Sequence, residues 1–272
     1  MTPGSILTSE QLAEFDHRGV LRLPAMLSAE RVRRARDYVL GRLARLGLWK
    51  DGAWRLGDRA RPQWPDSGVK SSKAIGNRHP DVEALIEEPA LLAVVEALLE
   101  GRPFERALFK RPQVMVTLPN IDAWTVPTGW HVDTPRLASN RRPGVQLFTF
   151  LDTVEPCGGG TLVVAGSQRL FNEGRVILAE ELGRLLRRED FFSDLCSDAP
   201  DRGRLARHTG AVGDVALEVV ELTGAPGDAY LADLRVLHTA APNASARPRM
   251  MATHRFCCAD VVEELGQAYG WS

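Results

Sequence analysis

Apolar residues along the first hundred positions fall at helical spacing, and over most of the remainder they alternate or run in short blocks. In "AERVRRARDYVLGRLARLG", residues 29–47, Val32, Ala35, Val39, Leu43 and Leu46 recur every three or four positions. That spacing predicts a helix with one buried side and an arginine-rich solvated face. Thr8 followed by Gln11 is a capping-box pattern and opens a shorter helix through about Phe15. "GVLRLP", residues 19–24, alternates and stops at a proline, as a short strand does. "VEALIEEPALLAVVEALLE", residues 82–100, reads as helical with a break near Pro89. Residues 51–80 are rich in Gly, Pro, Ser and charge and have little periodicity, which predicts a long loop of the kind that is often functional.

Beyond Pro103 the pattern changes. "ALFKRPQVMVTL", "GVQLFTFLDTV", "GTLVVAGS", "DVALEVVEL", "DAYLADLRVLH" and "RMMATHRFCCADV" are strand-like and separated by Gly, Pro or Asn. One helical insert, 179–198, interrupts them. Helices first and many short strands afterwards predict a mainly β domain, a β-barrel or jelly roll with the N-terminal helices packed outside. No linker separates the halves, so residues 1–272 are expected to form one domain.

With 272 residues and a formal net charge of −1, the chain lacks the basic excess that nucleic-acid binding requires. It begins without a basic segment followed by an apolar run, and no apolar run approaches the length of a membrane span. The four cysteines, Cys157, Cys196, Cys257 and Cys258, include no C-x-x-C, which points to free thiols in a reducing cytoplasm. The expected partner is therefore a small molecule, with neither nucleic acid nor membrane involved. The oligomeric state is left open.

Candidate chemistry centres on "TGWHVDTPR", residues 128–136, in a chain with six histidines. An H-x-D alone is common by chance. If this stretch is a strand, His131 and Asp133 share one face and converge on a point. A second histidine would complete a two-histidine, one-carboxylate set that leaves open positions on iron(II). His238, ending "GDAYLADLRVLH", is the best candidate. His17 and His79 lie in helical or loop segments, and His208 lies in a polar connector. His254, mid-strand, is the rival, although such a histidine more often packs in a core. Downstream, in "HTAAPNASARPRM", an arginine at the start of the next strand offers a rigid two-pronged fork to a carboxylate. An organic acid that chelates iron at one end and meets an arginine at the other is 2-oxoglutarate.

Over nearly its whole length the chain resembles the phytanoyl-CoA dioxygenase family of iron(II)/2-oxoglutarate oxygenases. The resemblance rests on "LTSEQLAEFDHRGVLRLPAMLSAERV", "WHVD", "LDTVEPCGGGTLVVAGSQR" and "APGDAYLADLRVLHTAAPNASARPR". It implies a double-stranded β-helix, cupin-like, with His131, Asp133 and His238 as iron ligands and O2 as oxidant. It also implies that Arg249, eleven residues after His238, grips 2-oxoglutarate, with Arg247 as the alternative. Gln113 and Thr117, alternating on the preceding strand, resemble side chains near the cosubstrate. Trp124, Trp130 and Gln146 are the candidate substrate contacts. Ala165 and Gln168 depart from the family's usual proline and histidine, at positions that normally shape a turn. Related halogenases carry a small residue where Asp133 stands, so the carboxylate favours oxygenation.

The expected reaction is hydroxylation of a C–H bond in a small metabolite or natural product, with release of succinate and CO2. Desaturation, ring closure and epimerisation share its first half. A jelly-roll binding protein with a relic metal site is the alternative. No phosphate-binding cluster for a CoA thioester is evident, Lys70 and Lys73 being thin support. The 51–80 loop, the 179–198 insert and residues 121–128 are the expected lid and entrance.

Overall fold

The computed structural model describes residues 6–56, 75, 78–105, 111–120, 123–198 and 200–269. The first helix, α1 (Ser9–Arg18), opens on the reciprocal bonds its sequence predicts. The Gln11 N–H donates to the Thr8 hydroxyl at 3.1 Å, and the Thr8 N–H donates to Gln11 Oε1 at 2.9 Å. The helix continues past Phe15 because its left-handed cap is Gly19, at φ +69°. Strand β1 (Val20–Leu23) follows, then α2 (Ala29–Arg45), which is capped by Ser28 and buries Val32, Ala35, Val39, Leu40 and Leu43. Leu46 is only partly buried, since the helix has already ended there.

Strands β2 (Trp49–Lys50) and β3 (Ala53–Trp54) form a hairpin in which the two indoles meet edge to face at 4.9 Å. The predicted 51–80 loop thus begins as a hairpin. Residues 57–74 and 76–77, with Trp64, Lys70 and Lys73, lie outside the described residues. Helix α3 (Pro80–Glu83) runs into a tight turn at Ala84–Glu87, and α4 (Pro89–Leu98) restarts with Pro89 in its first turn, where the missing N–H costs nothing.

The remaining elements, in order, are β4 (Phe104–Glu105), β5 (Gln113–Thr117), β6 (Gly144–Phe150) and β7 (Leu162–Ala165). Helices α5 (Ala179–Leu186) and α6 (Asp190–Leu195) follow, then β8 (Thr209–Val212), β9 (Val215–Glu221), β10 (Ala229–Asp233) and β11 (Leu237–Thr239). The last two are β12 (Arg249–Cys258) and α7 (Val262–Tyr269). The larger sheet has the order β1-β10-β6-β12-β4, with β5 also pairing β12; the smaller is β11-β7-β9-β8; every pairing is antiparallel.

Three sequence expectations change. The chain is mixed rather than mainly β, because helix and strand occupy comparable lengths of it. The insert is two helices, not one. The stretch 227–238 is two strands in different sheets, because Asp233 turns the chain between them. Its Oδ1 accepts from the Arg235 N–H at 2.9 Å, and its C=O accepts from Val236 N–H at 2.9 Å.

Period-two alternation sorts the side chains into layers. On β12, Met250, Ala252, Phe256 and Cys258 face the core shared with α2 and α4, whereas Met251 joins a second core with Phe148, Phe150 and Tyr230. On β7, Val163 and Ala165 join that second core, and Leu162 and Val164 pack with α5 and α6. The site therefore opens from a strand surface whose opposite face is held by helices.

The end of α1 is locked onto this body. Gln168 Nε2 donates to the carbonyls of Asp16 and His17 at 3.1 and 3.2 Å, and the Asp233 N–H donates to Gly19 O at 2.8 Å. A Cβ on Gly19 would lie 2.3 Å from Gln168 Oε1 and 2.8 Å from Val236 Cγ2. Gly19→Ala is therefore expected to destabilise the protein by about 1–3 kcal/mol, read as a lower denaturant midpoint at unchanged m-value.

Candidate metal centre

His131, Asp133 and His238 come together with their ligand atoms all within 4.8 Å of one another. The stretch 128–136 is not a strand, contrary to the expectation; its ladder pairing is two isolated bridges, Arg136 to Ile177 and one at His131. That bridge is to His238 itself. The His131 N–H donates to His238 O at 3.0 Å and the His238 N–H donates to His131 O at 2.9 Å, which brings the imidazoles to 4.3 Å between centroids.

Each ring is also oriented by its own backbone. His131 Nδ1 lies 3.3 Å from Gly129 O, and His238 Nδ1 lies 3.0 Å from Val236 O. A proton on Nδ1 satisfies each carbonyl and leaves Nε2 with its lone pair free for a metal. Burial of His238 pushes its pKa down, opposed by Asp133 and reinforced by His131, which keeps the imidazole in the ligating neutral form. His238 Nε2 is 3.7 Å from Asp133 Oδ2.

Without a ladder, the loop is held by arginines bonded to carbonyls. Arg202 donates to Val126 O at 2.7 Å and to Pro127 O at 3.0 Å, just before the loop. Arg136, just after it, donates to Leu170 O at 2.9 Å, Arg235 O at 2.9 Å and Ser167 O at 2.8 Å. Burial, with the Arg235 charge adding to it, brings the Arg136 pKa down to about 9. Arg255 on β12 grips the Asp133 carboxylate itself, Nε to Oδ2 at 2.5 Å and Nη2 to Oδ1 at 2.8 Å. The planar guanidinium meets both carboxylate oxygens at once.

Arg249 occupies the other end of the same inward row of β12, which runs Arg249, Met251, Thr253, Arg255. It is 2% exposed, and among the described residues no carboxylate pairs with it. Its Nη2 donates to Thr117 Oγ1 at 2.6 Å and its Nη1 lies 2.7 Å from Met251 Sδ, while Nε has no partner. Burial alone brings its pKa down to about 10, so it stays cationic at neutral pH. A buried cation without a counter-ion is costly, and an acid supplied from outside would relieve that cost. The register of β5 against β12 sets Thr117 opposite Arg249 and Gln113 opposite Thr253, so both predicted residues share this row's face.

Other predicted positions fall as follows. Gln146 is buried and donates to Thr253 Oγ1 at 3.1 Å. Trp124 and Trp130 are partly buried against the core of α5 and α6, and their indole N–H groups meet no acceptor among the described residues. Arg247 is exposed, 3.9 Å from Asp152. His254 is buried edge-on to Phe256 at 4.8 Å, His208 stacks on Phe191, and His79 stacks on Tyr38. Of the expected entrance, residues 121–122 lie outside the described residues, and α5 borders a cleft beside His131. Sequence reasoning missed Arg255, Arg136 and Arg202. The placement of Arg255 six residues after Arg249, on the same face of one strand, was the available signal for the first.

A comparison with family models matches residues 15–251 to the family described as phytanoyl-CoA dioxygenase (PhyH). The chain belongs to the phytanoyl-CoA dioxygenase family. With that membership it is an iron(II)- and 2-oxoglutarate-dependent oxygenase. No curated protein matches it in sequence. Among solved structures, it is similar to the non-heme alpha ketoglutarate dependent carbocyclase SnoK from nogalamycin biosynthesis, with TM-score 0.58 and 18% identity over 95% of this chain and 88% of that one. EctD from S. alaskensis with 2-oxoglutarate and 5-hydroxyectoine gives TM-score 0.57 and 19% identity over 96% and 79%. HygX from Streptomyces hygroscopicus with nickel and 2-oxoglutarate gives 0.54 and 17% over 93% and 88%. No helix among the described residues is long and apolar enough to cross a membrane.

The Arg255 fork generates a test. Arg255→Met should weaken cobalt(II) binding to the metal-free protein by roughly ten- to a hundredfold, the usual effect of losing a ligand's supporting contact. Arg255→Lys should recover only part of this, since an ammonium cannot reproduce the planar fork. Visible absorption of the cobalt protein measures both; equal affinity in Arg255→Met would rule out an orienting role.

Proposed function

We propose that the protein hydroxylates an unactivated C–H bond of a small metabolite or natural product, consuming O2 and 2-oxoglutarate and releasing succinate and CO2. In this reading residues 1–272 form one domain, and its two antiparallel sheets are the faces of a double-stranded β-helix. His131, Asp133 and His238 hold iron(II) as a facial set, leaving positions for the cosubstrate and O2. The bound iron supplies the redox chemistry; the chain supplies ligation, orientation and exclusion of water.

The observation that carries the reading is Arg249, a buried cation lacking a carboxylate partner among the described residues, on the strand that also grips Asp133. Its planar fork suits the distal carboxylate of 2-oxoglutarate, with the Thr117 hydroxyl fixing the fork's orientation. Gln113 shares this pocket face, and Gln146 holds Thr253 between the anchor and Asp133. A carboxylate at position 133, rather than a small residue, supports oxygenation. The free thiols of all four cysteines, two of them buried, support a reducing, cytoplasmic setting.

Wild-type protein with iron(II) and 2-oxoglutarate is expected to release succinate, and His238→Ala to lose both metal and turnover. Arg249→Ala should weaken 2-oxoglutarate binding by roughly ten- to a hundredfold, because charge-assisted hydrogen bonds contribute about 1.5–3 kcal/mol and each ~1.4 kcal/mol is tenfold. Its metal affinity should be unchanged. Arg247→Ala should leave cosubstrate binding as it is. The reverse ranking of these two variants in a calorimetric titration would move the anchor to Arg247.

A further inference from the structure

A cleft of about 110 Å³ lies between α5 and the metal-binding loop, and its lining includes Trp130, His131, Leu182, Leu186, Arg187 and Leu237. Of the triad only His131 lines it, and none of Arg249, Thr117 and Gln113 does. The volume is somewhat below the roughly 150 Å³ of an engineered apolar cavity that stays dry and holds benzene. Its walls are mostly apolar and include no carboxylate. Arg187, just past the end of α5, has no ion pair or side-chain hydrogen bond among the described residues.

A second feature of α5 points the same way. Gly183 lies in the interior of this helix and also lines the cleft. A Cβ built there would meet nothing within 4 Å. Glycine weakens a helix interior, and here no neighbour demands its small size. Leu182 and Leu186 are four residues apart, as are Gly183 and Arg187, so the helix presents an apolar pair beside a gap that ends in a cation.

We propose that this cleft receives the substrate, and that the substrate is an amphipathic acid. An aliphatic or ring-sized apolar group lies against Leu182, Leu186 and Trp130 beside His131, and a carboxylate or phosphate pairs with Arg187. Gly183 keeps the space between them open. The inference rests on the iron and 2-oxoglutarate reading of the site.

The test uses nickel(II)-loaded protein saturated with 2-oxoglutarate, so that Arg249 is already occupied, and calorimetric titration with octanoate, octyl phosphate and octanamide. At least one acid should bind about fivefold or more tighter than the amide, the scale of an exposed ion pair. Which acid binds more tightly separates carboxylate from phosphate. The preference should vanish in Arg187→Ala and reverse in Arg187→Glu. Gly183→Leu should abolish binding of all three probes while 2-oxoglutarate still binds; Gly183→Ala should raise the melting temperature and keep probe binding.

Equal binding of acid and amide by wild-type protein, a preference that survives Arg187→Ala, or no probe binding at all would each overturn the proposal. So would unimpaired probe binding in Gly183→Leu. Failure of nickel and 2-oxoglutarate to bind wild-type protein would instead sink the reading of the metal site.

Discussion

Two backbone hydrogen bonds between His131 and His238 hold the centre together. They join segments 107 positions apart (238 minus 131), at a place where one segment forms only isolated bridges. Because the pairing is between the two histidines themselves, the imidazoles stay together as long as the backbone does. Each ring's Nδ1 is then used on a carbonyl two residues earlier, so position and tautomer have one local origin. Asp133, two residues along, completes the triad on a stretch with no regular structure to hold it. That is where the arginines enter.

Arg136, Arg202 and Arg255 perform different versions of one task. A strand would satisfy its carbonyls through a neighbouring strand; this loop and its surroundings have guanidinium donors instead. One arginine reaches several carbonyls at once from a fixed plane, which suits an irregular backbone. The desolvation cost is visible in Arg136, which is held well below an arginine's ordinary pKa. Arg255 answers a charge rather than carbonyls, taking both oxygens of Asp133 in one planar fork. Arg249, on the same row, is buried with no carboxylate partner among the described residues.

Much of this was readable in the residue order. The capping box at Thr8, the α2 stripe and the break at Pro89 are local signals, decided within a few residues, and each holds in the structure. His131, Asp133 and His238, which the fold brings together, and the buried Arg249 were legible as candidates because metal and carboxylate chemistry would restrict residue types at fixed spacings. The supporting arginines were not. Arg255 meets Asp133 across 122 positions, and among many arginines nothing local distinguishes it from a solvated one. The turn at Asp233–Val236 was hidden because an apolar run spans two sheets without a glycine or proline to mark the break. The alternation that suggested a strand at 131–133 was two side chains converging for another reason, a bridge followed by a bend.

The connection from β11 to β12 acts as a ruler. Asn243, fully buried, donates from Nδ2 to Thr117 O at 3.0 Å and to Arg247 O at 2.8 Å, pinning the connector midway. Beyond it, β12 is paired on both sides, so its register is doubly set. Loss or gain of one residue here would turn Met250, Ala252, His254 and Phe256 inward and send both Arg249 and Arg255 into the helix-facing core. Gain of two would restore the face but displace Arg249 by roughly 7 Å along the strand, away from its partner Thr117. The register of β12 therefore tolerates a change of residue type in this connector far better than a change in its length.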